Sequence, residues 1–282
     1  MKKILTIFFI TISTSAVCQN FFTSFYGGLA NYTGDLQENP LNPITFRPSY
    51  GAGLLYELNS KWLIRFDISA GKITGDDKYS LKNRHRNLSF TSEISEFALG
   101  IEYLFLDLYQ HRVSPYVFAQ AGIFKFSPYY LLPNGGKIVL YEIDTEGQGF
   151  YQDRKKYKLR ELCIPLGFGT QWAINDGKRL GIVFGFRKTF TDYIDDVSTT
   201  YVDKDLLAQN RGSSAIAIAY KGNQLPNGDP YPADGTKRGD PTNKDSYYFV
   251  GLTFRIRIET SRTRAAKEPK PRKPSIDCPL IY

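Results

Sequence analysis

Strand-length segments of alternating apolar and polar residues recur along this chain, and the links between them alternate short and long. Successive side chains of a strand point to opposite faces, so each such segment carries one apolar and one polar face. In one segment Trp62, Ile64, Phe66 and Ile68 share a face opposite Arg65, Asp67 and Ser69. In another, Phe97, Leu99, Ile101 and Tyr103 oppose Glu96, Gly100 and Glu102, and in a third Leu162, Ile164, Leu166 and Phe168 oppose Glu161, Cys163 and Gly167. Leu180, Ile182, Phe184 and Phe186 oppose Gly181, Val183, Gly185 and Arg187. Near the end, Tyr248, Val250, Leu252, Phe254 and Ile256 oppose Gly251, Thr253, Arg255 and Arg257.

Eight strands are predicted, over 22–32, 49–58, 61–73, 88–105, 115–126, 157–174, 179–193 and 245–259. The faces of the first and fifth stay unassigned. Links after the second, fourth and sixth strands are short or moderate, and Asn175-Asp176-Gly177-Lys178 is a strong hairpin turn. The other links are long and polar, the longest running to about residue 244. Parity of this kind predicts an all-β fold: an eight-stranded antiparallel up-and-down transmembrane β-barrel with long extracellular loops and both barrel ends returning to the periplasm.

No segment has the roughly 20 consecutive apolar residues of a membrane helix. The mean hydropathy of −0.33 reads as that of a soluble protein, but a barrel strand alternates and carries only a weak apolar signal. Aromatic residues make up 15% of the chain, with 20 Tyr and 20 Phe, which suits interfacial girdles. A soluble β-sandwich or a lipocalin-like barrel would also alternate.

The ends frame the barrel. Residues 1–18 read as a signal peptide: Lys2 and Lys3, an apolar run from Ile4 to Ile12, then small residues. Cleavage before Gln19 is expected, with lipidation of Cys18 as the rival. Residues 19–259 form the barrel and 260–282 a basic, Pro-rich periplasmic tail. The formal charge of +8 falls to +6 once Lys2 and Lys3 are removed. It is dispersed, and an exported protein seldom meets nucleic acid, so no nucleic-acid partner is expected; outer-membrane lipids are.

The polar faces place Arg65, Arg187, Arg255 and Arg257 in one lumen with Asp67, Glu96, Glu102 and Glu161. Unpaired charge is costly in a narrow interior, so mixed signs predict a salt-bridged plug. Eight strands enclose just enough space for side chains to fill it. Interior glycines leave room for the long Arg and Glu side chains.

In the tail, Arg262, Arg264, Lys267, Lys270, Arg272 and Lys273 face only Glu268 and Asp277, and the chain ends in Pro279-Leu280-Ile281-Tyr282. Two readings stand: a solvated disordered tail, or a periplasmic docking peptide. Cys163 and Cys278 remain after signal cleavage, one mid-strand and one in the tail. In an oxidising compartment Cys278 is either a free thiol or half of an intermolecular disulfide with a periplasmic partner.

Signals for catalysis are poor. His85 and His111 fall in links on opposite sides of the membrane and cannot share a metal. Asp192, Asp195 and Asp196 cluster with Asp203 beyond; Ca²⁺ binding is one reading, turn formation and solvation the simpler one. No cofactor is implied. Gly251, Phe254 and Ile256 in the final strand have the spacing of a barrel-assembly signal.

Four stretches carry a family resemblance. They are Asn31-Tyr32-Thr33-Gly34-Asp35-Leu36, Arg86-Asn87-Leu88-Ser89-Phe90 with Glu96 following, Phe190-Thr191-Asp192-Tyr193-Ile194-Asp195-Asp196-Val197-Ser198, and Arg238-Gly239-Asp240-Pro241-Thr242-Asn243. Together they resemble the PorG-like family of outer-membrane β-barrels (domain of unknown function 6089), a component of the type IX secretion system. The resemblance implies a non-enzymatic anchoring or scaffolding role beside a periplasmic ring built from a lipoprotein and its partner subunit. It supplies no catalytic residues. The alternatives are a small outer-membrane transport or channel protein and a surface adhesin.

Overall fold

The computed structural model describes residues 21–258, apart from 38, 40, 41, 81, 152 and 153. The expected signal peptide (1–18) and the tail residues Arg262, Arg264, Lys267, Lys270, Arg272, Lys273, Cys278 and Tyr282 lie outside the described residues.

Nine strands and three short α-helices follow in chain order among the described residues: β1 (Phe21–Thr33), β2 (Arg47–Glu57), β3 (Trp62–Asp76), β4 (Ser89–Leu104), β5 (Val113–Leu131), β6 (Lys137–Val139), α1 (Leu140–Ile143), β7 (Arg160–Asn175), β8 (Lys178–Thr189), α2 (Lys204–Arg211), α3 (Ser213–Ala219) and β9 (Ser246–Arg257). Eight long strands pair antiparallel with their chain neighbours. β1 then pairs β9 from Phe22↔Arg257 to Thr33↔Ser246, which closes the eight long strands into a cylinder. β6 stands apart, pairing only the projecting end of β5 through Tyr129↔Val139 to Leu131↔Lys137. The fold is a closed eight-stranded antiparallel barrel.

Phe21 and Ile258 lie at the end of the short turns, where the Ile258 N–H donates to Phe21 O at 2.7 Å. The long links gather at the other end. The outer faces of the strands are apolar and open: Ile68 on β3, Phe97 and Leu99 on β4, Leu162 and Phe168 on β7, and Leu180 and Ile182 on β8 are all exposed. Trp62, Phe184 and Phe254 lie on the same outer surface. Exposed apolar area this continuous is the surface a bilayer covers.

The two unassigned strands now have faces. β1 turns Phe22 and Ser24 inward and Phe25 and Leu29 outward; β5 turns Tyr116, Phe118, Gln120, Phe124 and Phe126 inward. β5 is also longer than the predicted 115–126, because past Lys125 it leaves β7 and takes β6 as its partner. The β5–β7 ladder skips Gln120 and Ala121, opposite Pro165 and Ile164, where Pro165 has no N–H to donate. β8 ends at Thr189, so residues 190–193, read as strand from the sequence, belong to the outer link.

Candidate functional site

The lumen is built in layers from inward-facing side chains of the wall. In the central layer the Arg255 guanidinium donates from Nη1 and Nη2 to Glu102 at 2.6 and 2.9 Å. Arg65 bridges Glu102 (2.9 Å) and Asp67 (2.7 Å), and Gln120 also donates to Asp67 at 2.8 Å. Nearer the long-loop end, Arg187 donates to both oxygens of Glu96 at 3.1 and 3.2 Å, and the Tyr247 hydroxyl donates to Glu96 at 2.7 Å. Each guanidinium also lies on an aromatic face: Arg65 on Phe118 at 4.2 Å, Arg187 on Phe249 at 4.2 Å and Arg255 on Tyr116 at 5.2 Å. Arginine suits such a site because its planar fork binds a carboxylate bidentately while its face stacks on a ring. Strand glycines make the space: a Cβ at Gly185 would overlap the Arg187 guanidinium, and one at Gly167 the Phe118 ring.

Two of the predicted lumen charges do not join this network. Glu161 sits at the outer end of β7 opposite Phe124, half-buried and in no ion pair among the described residues. Inward parity brought it to the lumen side, but β7 only begins at Arg160, so no second layer of cations reaches it. Arg257 lies at the short-turn mouth instead, where its Nη2 donates to the Tyr109 hydroxyl at 2.5 Å. The sequence reading missed a further pair there: Arg179 donates to Glu57 at 2.6 Å, and Tyr109 donates to the other Glu57 oxygen at 2.5 Å. Burial and the Glu57 carboxylate push the Tyr109 hydroxyl up to about 12.

An interior cavity of about 40 Å³, lined by Arg65, Asp67, Ser69 and Arg187 among others, lies between the ionic layers. That is room for a few waters and not for a permeant solute. Cys163 is a buried free thiol on the lumen wall.

The long-loop end is closed by a folded plug. Ile194, Val197 and Ile218 from the link between β8 and β9 pack with Tyr32, Phe90, Phe124 and Tyr247 of the barrel, so the plug shares the core of the barrel mouth. The α2–α3 hairpin adds a second small core, Leu207, Ala215 and Ala219 against Tyr151 and Val202. Asp203 caps α2 by accepting from the backbone N–H groups of Asp205 and Leu206. Gly212 breaks the two helices apart at φ +84°, where a side chain would be strained.

The aspartates read as solvated turn formers are buried in this plug: Asp192, Asp195 and Asp196 are 2%, 1% and 0% exposed. Asp195 and Asp196 are ordered by partners far away in sequence, Asp195 accepting from the Tyr32 hydroxyl at 2.5 Å. Asp196 accepts from the Thr145 hydroxyl at 2.5 Å and from Tyr157 at 2.7 Å. Arg238 ties Glu146 (3.0 Å) to the Asp196 carbonyl (2.6 Å). Arg86 pairs with Asp77 at 2.7 Å and donates to the Arg238 carbonyl. Burial pushes Asp192 up to about 7 and Asp196 up to about 6, while it brings Lys221 down to about 7. Among the described residues no three His, Cys, Asp or Glu side chains form a group able to hold a metal ion.

Several solved structures are similar to this chain over most of its length. Neisserial surface protein A is 10% identical with a TM-score of 0.43, the match covering 84% of this chain and 97% of that one. The OprG protein of Pseudomonas aeruginosa is 10% identical with a TM-score of 0.39, over 85% of this chain and 98% of that one. The attachment invasion locus protein of Yersinia pestis is 11% identical with a TM-score of 0.37, over 84% of this chain and 99% of that one. No curated protein sequence matches the chain. Residues 1–208 match the sequence model of the family described as Domain of unknown function (DUF6089), and this chain belongs to that family.

Proposed function

We propose that this chain is a non-enzymatic barrel of the outer membrane that anchors or scaffolds type IX secretion machinery from its periplasmic side. The observation that supports a structural role over a transport role is the interior itself. Glu96 and Glu102, with the arginines that pair with them, fill the bore with fixed, paired charge, with a cavity of about 40 Å³ between the layers. A bore closed this way costs the barrel its use as a pore but stiffens its wall, as an anchor requires. In this reading the short-turn end faces the periplasm, because barrels of this class keep tight turns there and long loops outside. The basic tail with Arg262, Arg264, Lys267, Lys270, Arg272, Lys273 and Tyr282 is then the docking segment. Its partner is a subunit of a periplasmic ring, with Cys278 available for an intermolecular disulfide.

The test is deletion of residues 260–282 in the native host. Loss of protein export with normal heat-modifiable barrel in the outer membrane supports docking through the tail. Unchanged export removes that role. A non-reducing gel of native membranes, with Cys278→Ser as control, reports the disulfide separately. A second reading, a surface adhesin, draws on the folded plug, whose own core of Val202, Leu207, Ala215 and Ala219 makes it a fixed surface.

A further inference from the structure

A polar cavity of about 520 Å³ opens at the long-loop end beside the plug, well apart from the ionic lumen. Its size lies within the roughly 300–1,000 Å³ of small-molecule sites. Three stretches distant in sequence build it: residues 33–35 after β1, 82–86 before β4 and 237–246 leading into β9.

The charges on its wall are unequal in availability. Lys82 is exposed and enters no hydrogen bond or ion pair among the described residues. Lys244 reaches only the Pro241 carbonyl, at 2.7 Å. The two acids on the wall are engaged: Asp35 accepts from the Asp240 N–H at 2.8 Å, and Asp240 accepts from Thr242 at 2.7 Å and Asn243 at 3.1 Å, with Lys237 at 3.5 Å. Behind them Arg86 and Arg238 are matched by Asp77 and Glu146.

Arg238 is 4% exposed and lines the cavity, with its guanidinium held by Glu146 and the Asp196 carbonyl. The side-chain carbonyls of Asn83 and Asn243 accept no hydrogen bond among the described residues, although both amide groups donate. The exposed Lys82 ammonium, the Lys244 ammonium held by one carbonyl, and two open amide acceptors together match a ligand that carries both negative charge and hydroxyl groups.

We propose that this cavity binds an anionic saccharide, a sugar bearing phosphate or carboxylate. Lys82 and Lys244 supply attraction at the mouth, and Asn83 and Asn243 acceptors for sugar hydroxyls. The same chemistry is found in the headgroup of an outer-leaflet glycolipid and in a soluble saccharide.

The experiment is calorimetric titration of the full chain, purified in neutral detergent, with glucose 1-phosphate, glucose and detergent-solubilised lipopolysaccharide. Saturable binding of glucose 1-phosphate but not glucose is expected, weakened at least tenfold in Lys82→Gln/Lys244→Gln and unchanged in Lys204→Gln, a lysine on α2 outside the cavity. Competition by lipopolysaccharide assigns the headgroup as the source; its failure to compete assigns the soluble sugar. Absence of saturable binding to either probe overturns the proposal. So does binding that Lys82→Gln/Lys244→Gln leaves intact while protease resistance shows the plug folded.

Discussion

Arg255 and Glu102 are joined by two nearly parallel hydrogen bonds of 2.6 and 2.9 Å in the middle of the barrel, with both side chains essentially inaccessible to water. Arg65 shares the same carboxylate at 2.9 Å. Glu102→Ala therefore strands the Arg255 guanidinium and leaves Arg65 with Asp67 alone. Removing one partner of a buried ion pair costs about 3–5 kcal/mol. Urea unfolding of the barrel in lipid vesicles is expected to show a loss of at least that size. The double variant Glu102→Leu/Arg255→Met, which takes charge out of both sides of the bond, is expected to lose less than Glu102→Ala.

The same layers predict the electrical behaviour of the barrel. With ionic layers across the bore and a cavity of about 40 Å³ between them, the wild type is expected to give no steady conductance in planar bilayers. Glu96 and Arg187 form the layer nearest the plug, and Tyr247 leans on the same carboxylate. Glu96→Ala/Arg187→Ala removes both charges and opens volume beside the cavity, so small-ion conductance is expected to appear in that variant. Steady channels in the wild type would instead favour transport.

The plug carries a pH dependence of two signs. Asp192, raised to about 7, and Asp196, raised to about 6, bind protons more tightly folded than unfolded, where an aspartate titrates near 3.9. Between about pH 4 and 7 the folded plug holds more protons than the unfolded one, so its stability falls as pH rises and then levels off. Lys221, lowered to about 7, acts in the next window. From pH 7 to about 10.4 the unfolded lysine keeps a proton that the folded one has lost, so stability rises with pH. The plug is expected to be least stable near pH 7. A proton count supports the acidic limb: the single Tyr32 hydroxyl hydrogen faces Asp195 at 2.5 Å and Asp245 at 2.9 Å, so one of these carboxyls has to supply the second hydrogen. Amide exchange across residues 190–245 at pH 5, 7 and 9 is the measurement, with Asp192→Asn expected to flatten the acidic limb.

How much of this was legible depends on contrast between the faces of each strand. β3, β4 and β9 set Phe, Leu or Ile against Arg, Asp or Glu, so alternation alone separates lipid side from lumen side. β5 sets Val117, Ala119 and Ile123 against Tyr116, Phe118 and Phe124, apolar on both faces, because its lumen side serves as the aromatic bed on which Arg65 and Arg255 lie. Arg179 and Glu57 were hidden by their nearness to the turns at 58–61 and 175–178, where charge reads as solvation. The plug was out of reach for a different reason. Its stretch is rich in Asp, Gly and Pro, and Asp196 is buried only because Thr145 and Tyr157, some 40 to 50 positions earlier, come to meet it. Local pattern contains nothing about such partners.

The α2 cap gives a local test of whether the plug folds as one unit with the barrel. Asp203 accepts from two backbone N–H groups at 2.9 Å each, satisfying orphan donors of the first turn of an eight-residue helix. Asp203→Ala is expected to cost about 1 kcal/mol. If α2 opens on its own, that cost appears as roughly fivefold faster amide exchange confined to residues 204–211. Leu207, however, is fully buried against Tyr151, Val202 and the α3 residues Ala215 and Ala219, so opening α2 exposes the whole outer core. Exchange is therefore expected to quicken together across α2, α3 and the stretch around Tyr151, with β1 and β9 unchanged. Acceleration limited to α2 would show that the hairpin is a separable flap.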